Sequence, residues 1–175
     1  MRPRVLIPAD RIATRVRGLG TAIARDLAGG RDAPLLLLAL LDGGFCFVAD
    51  LARALPLPDV EIGFLRTSSY RGGTRSTGVV EREPVPAVAG RSVLIVDDIL
   101  DTGRTLAAVR GDVLRAGAAA VRACVLLDKP ARRIDAEGRA DYVGFTIPDV
   151  FVIGYGLDHA GRFRHLPDLC VLDDG

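Results

Sequence analysis

An unbroken apolar run, Leu35–Leu41, places the strongest constraint on the fold of this chain. A short run without polar interruption is typical of a strand that is buried on both faces, as strands are in parallel sheets. Segments of helical length flank it: apolar residues recur on one helical face from Ile12 to Leu27, and a second helix is predicted from Phe45 to Leu55. The pattern therefore predicts an α/β fold, with a largely parallel central sheet flanked by helices.

The rest of the chain continues this alternation. Asp10 is the predicted cap of the first helix and Gly29-Gly30 its predicted end, and a third helix is predicted from Thr105 to Ala116, closed by Gly117. Further strands are predicted at Val60 to Leu65, Ser92 to Val96, Val121 to Leu127, Tyr142 to Phe145, Val150 to Ile153 and Cys170 to Leu172. Neither a repeat nor a linker interrupts the 175 residues, so residues 1–175 are predicted to form a single domain.

Charge and composition narrow the class of protein. The 23 basic residues are balanced by 22 acidic ones, and a net charge of +1 predicts no general attraction to nucleic acid or to a membrane. No apolar segment reaches the roughly 18 residues of a membrane span, and the N-terminus lacks the pattern of a secretory signal. Cysteines at positions 46, 124 and 170 have neither paired nor metal-type spacing, so we expect reduced thiols and a cytoplasmic protein.

The segment from Arg66 to Gly78 differs from its surroundings because it is polar, rich in glycine and almost without residues to bury. Its length is typical of a functional loop. From composition alone, a mobile functional loop and a disordered hairpin tip both remain open.

The segment Val93 to Leu106, VLIVDDILDTGRTL, carries the clearest chemical signal. Its acids follow an apolar strand, and in open α/β sheets ligands bind beyond the carboxyl ends of the strands. Asp97 and Asp98 suit a ribose diol because carboxylates accept hydrogen bonds from hydroxyls, and Asp101 suits a base or a group that orients a reacting ring. Hydroxyl residues around Gly103 at a helix start suit a phosphate. The alternative, an acidic helix cap, explains one acid but not the whole segment.

This segment resembles the signature with which type I phosphoribosyltransferases bind phosphoribosyl pyrophosphate (PRPP). The resemblance implies the type I phosphoribosyltransferase fold, with a small hood built from the N- and C-terminal segments and a flexible loop. It also implies that Asp97 and Asp98 hold the ribose hydroxyls and lie at the metal, and that Asp101 is a general base near the purine N7. The implied 5′-phosphate site consists of Asp101, Thr102, Gly103, Arg104 and Thr105.

Further segments resemble hypoxanthine-guanine phosphoribosyltransferases. Lys129, the only lysine of the chain, matches the residue that donates to the exocyclic O6 of the base, which disfavours adenine. Phe151 would stack on the base and the Val152 backbone would contact its edge, while Asp158, also at the purine site, would bind a magnesium ion near the pyrophosphate. Arg164 matches a basic residue at the pyrophosphate.

Two loops complete the resemblance, one of them with a departure. Ser69 and Tyr70 match a catalytic lid that excludes water. Gly43 and Gly44 match a pyrophosphate loop, but Asp42 stands where the family usually has lysine or arginine. Because a carboxylate repels a polyanion, Asp42 is expected to act through magnesium, to pair with an arginine, or to leave binding to backbone N–H groups.

The resemblance therefore implies a purine salvage transferase that forms IMP or GMP and pyrophosphate from hypoxanthine or guanine and PRPP. It implies magnesium (Mg²⁺) as cofactor, PRPP and an oxopurine base as small-molecule partners, and a homodimer or homotetramer, without nucleic acid or membrane. The alternatives left open are a xanthine-preferring enzyme, an RNA-binding attenuator-type regulator on the same fold, and an inactive PRPP-binding protein.

Overall fold

The computed structural model describes residues 2–27, 34–68 and 81–173. Its helices are α1 (Ala9–Asp26), α2 (Phe45–Ala54) and α3 (Arg104–Arg115), with one 3-10 turn at Pro130–Arg132. Its strands are β1 (Arg2–Ile7), β2 (Leu35–Leu41), β3 (Val60–Ser68), β4 (Glu81–Arg82), β5 (Ser92–Leu100), β6 (Ala120–Asp128), β7 (Tyr142–Thr146), β8 (Val152–Ile153) and β9 (Leu169–Asp173). Within these ranges no helix is long and apolar enough to cross a membrane.

The central sheet has the strand order β4-β3-β2-β5-β6-β7, with β4 antiparallel at one edge and the other neighbours parallel. Alternate residues of β2 enter different cores: Leu35 and Leu37 pack with α1 and α2, and Leu36 and Leu38 pack with α3. Both faces of β2 are therefore covered, which is why its sequence is apolar without alternation. The predicted α/β fold with helices on a largely parallel sheet is confirmed.

A smaller antiparallel sheet joins the two ends of the chain in the order β1-β9-β8. Arg2 lies opposite Asp173, and Val152 lies opposite Val171. These N- and C-terminal strands correspond to the hood that the resemblance implied. Strand β1 was not predicted, because Arg2, Pro3 and Arg4 are exposed and lack an apolar pattern; pairing with β9 places them in a strand.

The predicted helix ends were partly wrong. Pro8, not Asp10, is the N-cap of α1, and the carboxylate of Asp168 accepts the Ala9 N–H at 2.8 Å. A distant side chain thus satisfies an N–H that a local cap would otherwise have taken. The helix ends at Asp26, and the predicted stop at Gly29-Gly30 lies outside the described residues. Gly117 follows the C-cap of α3 with φ 88°, as predicted.

Candidate active site

The acidic pair lies on the strand itself, whereas the sequence predicted that β5 ends before it. Strand β5 pairs with β2 only as far as Val96, but it continues against β6 to Leu100. The prediction ended the strand too early because hydrogen bonds to β6 outweigh the low strand propensity of aspartate. Asp97 and Asp98 therefore lie where β5 extends beyond its pairing with β2.

Backbone N–H groups and a glycine hold the two carboxylates. The Asp98 N–H donates to Asp97 Oδ1 at 2.9 Å, and the Ile99 N–H donates to Asp98 Oδ1 at 2.8 Å. A Cβ atom at Gly43 would lie 1.7 Å from Asp98 Oδ2, so a side chain at this position would displace the carboxylate. The predicted ribose residue Asp98 and pyrophosphate residue Gly43 thus lie side by side.

Electrostatics disfavour ionisation of this pair. Burial, followed by the charge of Asp98, raises the pKa of Asp97 well above its ordinary value of 3.8. Burial also raises the pKa of Asp98, although hydrogen bonds from Asp97 and from Ile99 and the charge of Arg164 oppose the shift. Hydrogen bonds from hydroxyl groups, or a bound cation, would stabilise the ionised form of this pair. A carboxyl group whose ionisation is disfavoured in this way is typical of a functional site.

We expect Asp97→Asn to stabilise the unliganded protein. The folded pKa of Asp97 is raised, so this carboxyl costs folding stability as pH rises from 3.8 towards the raised value. Asparagine keeps the acceptor for the Asp98 N–H but carries no charge. At neutral pH we expect a gain of about 1–2 kcal/mol, or roughly 2–8 °C in Tm, with weaker PRPP binding.

Thermal unfolding of both proteins between pH 4 and pH 8 measures this effect. The difference in Tm should be smallest near pH 4, where Asp97 is protonated in the folded state and still partly protonated in the unfolded state, and should grow with pH. A destabilised variant, or a constant difference over this range, would contradict the inference that charge on Asp97 opposes folding.

Asp42 lies in the loop 42–44, and its contacts decide between the alternatives given above for this residue. Arg66 Nη2 lies 3.4 Å from Asp42 Oδ1, so pairing with an arginine is the alternative found in the structure. The Leu41–Asp42 peptide is cis. Gly44 is the N-cap of α2, and a Cβ there would lie 2.7 Å from the Leu40 oxygen.

Gly103 forms the turn between β5 and α3 in the predicted 5′-phosphate loop. Its φ of 88° is left-handed, and it is the N-cap of α3. A Cβ at Gly138 would lie 2.1 Å from the Gly103 oxygen, so the two backbones are in close contact. The Thr102 carbonyl accepts N–H bonds from Ile134 at 3.0 Å and Asp135 at 3.1 Å. The segment after the 3-10 turn therefore supports this loop from outside.

Sequence reasoning missed the two arginines that hold this loop. Arg132 Nε lies 2.8 Å from Asp101 Oδ1, an ion pair to the predicted general base. Arg133 Nε donates to the Asp101 carbonyl at 3.2 Å, and its Nη2 binds the Asp128 carboxylate. The dipeptide Arg132-Arg133 directly after Lys129-Pro130 was the available signal, but sequence did not indicate what it contacts.

Lys129 is buried at the end of β6, beside Asp101. Its Nζ lies 3.8 Å from Asp149 Oδ1, and burial lowers its pKa below the ordinary 10.5 while Asp101 and Asp149 oppose the shift. Leu100 and Asp128 are register partners, so Asp101 and Lys129 leave the sheet from adjacent strand ends. Lysine is rarely buried to this extent unless its charge is paired, so Lys129 is not an ordinary surface lysine.

The predicted purine-stacking residue, Phe151, is exposed: 55% of its surface is accessible, and the edge of His159 contacts it in a T-shaped arrangement with centroids 5.5 Å apart. The neighbouring Val152 is buried in β8, an edge strand of the small sheet. Strand β8 pairs on one side only within this sheet, so its free edge presents backbone groups to which a ligand can bind.

Asp158 and Arg164 form an ion pair at 2.9 Å in the C-terminal loop, which is the segment 154–168 between β8 and β9. Arg164 Nη1 also donates to the Gly156 carbonyl at 2.6 Å, and a Cβ at Gly156 would lie 2.5 Å from the Gly43 oxygen. The structure thus joins the C-terminal loop to the loop 42–44 next to Asp98. Ser69 and Tyr70, the predicted lid residues, lie outside the described residues.

A divalent cation fits this set of carboxylates only together with a ligand. Within the described ranges no group of three or more His, Cys, Asp or Glu side chains is arranged to hold a metal. Magnesium, however, is commonly bound through one or two carboxylates plus substrate phosphates. Asp158 and the pair Asp97 and Asp98, whose ionisation burial disfavours, are suited to such partial ligation, since each carboxylate oxygen accepts more than one contact.

Comparison with known proteins agrees with this geometry. A family model described as phosphoribosyl transferase domain matches residues 9–160. The chain is 39% identical over 173 residues to the hypoxanthine-guanine phosphoribosyltransferase of Streptococcus pneumoniae, covering 98% of this chain and 93% of the relative. It is 40% identical over 166 residues to the hypoxanthine phosphoribosyltransferase of Escherichia coli K12, covering 93% and 91%.

Solved structures show the same similarity. A Bacillus anthracis hypoxanthine-guanine phosphoribosyltransferase superposes with a TM-score of 0.85 at 36% identity, covering 97% of this chain and 98% of that one. A Trypanosoma cruzi hypoxanthine phosphoribosyltransferase superposes with a TM-score of 0.87 at 38% identity, covering 97% and 91%.

Proposed function

This chain belongs to the phosphoribosyltransferase family, and we propose that it is a purine salvage enzyme that forms IMP or GMP and pyrophosphate from hypoxanthine or guanine and PRPP. The names of its relatives favour this reaction over an RNA-binding regulator or an inactive PRPP-binding protein. The proposal includes a single phosphoribosyltransferase domain over residues 1–175.

The choice of base rests on one observation: Asp101 and Lys129 lie beside each other, each directly after the end of one of two neighbouring strands. A 6-oxopurine presents N7 and the exocyclic O6 on one edge. The carboxylate of Asp101 accepts the proton from N7, while the buried ammonium of Lys129 donates a hydrogen bond to O6. Adenine carries an amino donor in place of O6, and a second donor facing Lys129 would leave both groups unsatisfied.

PRPP is held by three groups of residues in this proposal. Its ribose hydroxyls donate to Asp97 and Asp98, which satisfies carboxylates that burial disfavours. Its 5′-phosphate lies on the loop 101–105, where the first N–H groups of α3 lack intrahelical acceptors. Its pyrophosphate lies between Gly43, Gly44 and Arg164. When bound, magnesium supplies positive charge that stabilises the leaving pyrophosphate.

The chain's own residues then orient the base and accept its proton. The base stacks on Phe151, contacts the Val152 backbone, and donates its N7 proton to Asp101. The bond between ribose C1 and the pyrophosphate oxygen breaks, pyrophosphate keeps the bonding electrons, and N9 forms the new bond to C1. Arg132 holds the Asp101 carboxylate in position throughout. Ser69 and Tyr70 would cover the reacting centre and exclude water.

Location and assembly are also part of the proposal. We infer a cytoplasmic homodimer or homotetramer. The support is that Cys46, Cys124 and Cys170 are all free thiols, and that the Trypanosoma cruzi relative is described in terms of its oligomeric state. Sedimentation of the purified protein at several concentrations measures the assembly directly.

Product formation from PRPP and magnesium tests the proposed function, with hypoxanthine, guanine, xanthine, adenine and uracil in parallel. We expect IMP and GMP, with adenine slower by a factor of about 10³ or more, because a donor facing Lys129 replaces an acceptor. A xanthine rate above the other two would select the xanthine-preferring alternative. No product from any purine would reject the transferase.

A further inference from the structure

We propose that Arg66 supplies the cationic side chain of the pyrophosphate site, where the resemblance implied a lysine or arginine in the loop itself. This inference rests on the proposed function and adds to it a residue to which the resemblance assigned no role. It explains how a chain with Asp42 in the loop 42–44 can still bind a polyanion.

The sheet brings Arg66 to this loop. Arg66 lies near the end of β3 and is the register partner of Leu41, the last residue of β2. The two parallel strands therefore deliver Arg66 and Asp42 to the same edge of the sheet. There, Arg66 Nη2 lies 3.4 Å from Asp42 Oδ1.

Packing prevents the loop glycines from carrying a basic side chain themselves. Gly43 lies between Asp98 and Gly156: its own Cβ would meet Asp98 Oδ2 at 1.7 Å, and a Cβ at Gly156 would meet its oxygen at 2.5 Å. A Cβ at Gly44 would meet the Leu40 oxygen at 2.7 Å. Because position 42 holds a carboxylate in this chain, the cation reaches the loop from a neighbouring element, as Arg66 does.

The guanidinium of Arg66 has more donors than its ion pair with Asp42 uses. The side chains of Arg66 and Asp42 are 62% and 54% exposed, and such an exposed ion pair contributes only about 0–1 kcal/mol. A guanidinium has five N–H donors, so it can contact Asp42 on one side and phosphate oxygens on another. Asp42 thus orients Arg66 towards the loop, and its own charge is offset by the pair.

The variant Arg66→Gln tests the proposal. We expect the KM for PRPP and the Kd for magnesium pyrophosphate, measured by titration calorimetry, to rise about 10-fold through loss of a charge-assisted contact. The KM for hypoxanthine and the Kd for IMP should stay within about twofold, because neither molecule contains the pyrophosphate group. The double variant that combines Asp42→Lys with Arg66→Gln should bind pyrophosphate as the wild type does, because the change at position 42 returns a cation to the loop.

A matched control is Arg25→Gln, since Arg25 is a similarly exposed arginine paired with Asp26 at the end of α1. Its constants should equal those of the wild type. Wild-type pyrophosphate binding in Arg66→Gln would overturn the proposal, as would equal weakening of pyrophosphate and IMP binding, which indicates a structural role. Because pyrophosphate binding is measured directly, failure of the wild type to convert any purine rejects the proposed reaction separately.

Discussion

Replacing Asp101 by asparagine is expected to lower kcat by about 10²–10⁴-fold, the usual contribution of a general base. Asparagine has the same shape but cannot accept the N7 proton. The binding of PRPP should change little, because the loop 101–105 is held through its backbone: Arg133 donates to the Asp101 carbonyl, and Ile134 donates to Thr102. Single-turnover rates and the equilibrium Kd for PRPP separate the two effects.

The control is Asp149→Asn, which removes the other carboxylate near Arg132, 3.6 Å from its Nη1. Both substitutions leave Arg132 with one carboxylate fewer, but only Asp101 is placed to take the proton. We expect Asp149→Asn to lower kcat by less than about 10-fold. Equal losses in the two variants, or parallel losses of kcat and PRPP affinity in Asp101→Asn, would assign Asp101 a structural role.

Replacing Lys129 by methionine is expected to lower kcat/KM for hypoxanthine and guanine by about 10²-fold. The change removes a charged donor from a buried site and leaves O6 of the bound base without a partner, at a cost of roughly 3 kcal/mol. The KM for PRPP should change little, since the predicted PRPP residues lie on β5, in the loops 101–105 and 42–44, and at Arg164. Steady-state kinetics with each base varied at saturating PRPP measures the effect.

Stability distinguishes this loss from misfolding. Burial lowers the pKa of Lys129, so the fold disfavours its charged form, and methionine fills a similar volume without charge. We therefore expect the Tm of Lys129→Met to equal or exceed that of the wild type. An unchanged ratio of hypoxanthine to adenine activity in a stable variant would contradict the proposed role in base selection.

The main elements of the fold could be predicted from sequence because burial leaves a local trace. The run Leu35–Leu41 is apolar on both faces since helices cover both sides of β2, and Gly117 marks the end of α3 by its conformation. Strand β1 left no such trace, because its partner β9 lies at the other end of the chain. The cap of α1 was predicted wrongly for the same reason: Asp168 is distant in sequence.

For the candidate site, the sequence determines which chemical groups are present, and tertiary structure determines which of them meet. The segment from Asp97 to Thr105 is contiguous, so a local pattern identifies its acids, hydroxyls and glycine. The contacts of Arg132 with Asp101 and of Arg66 with Asp42 join residues from different strand ends. Such pairs depend on strand order and register, which no local pattern encodes, because parallel strands bring together residues that the chain separates.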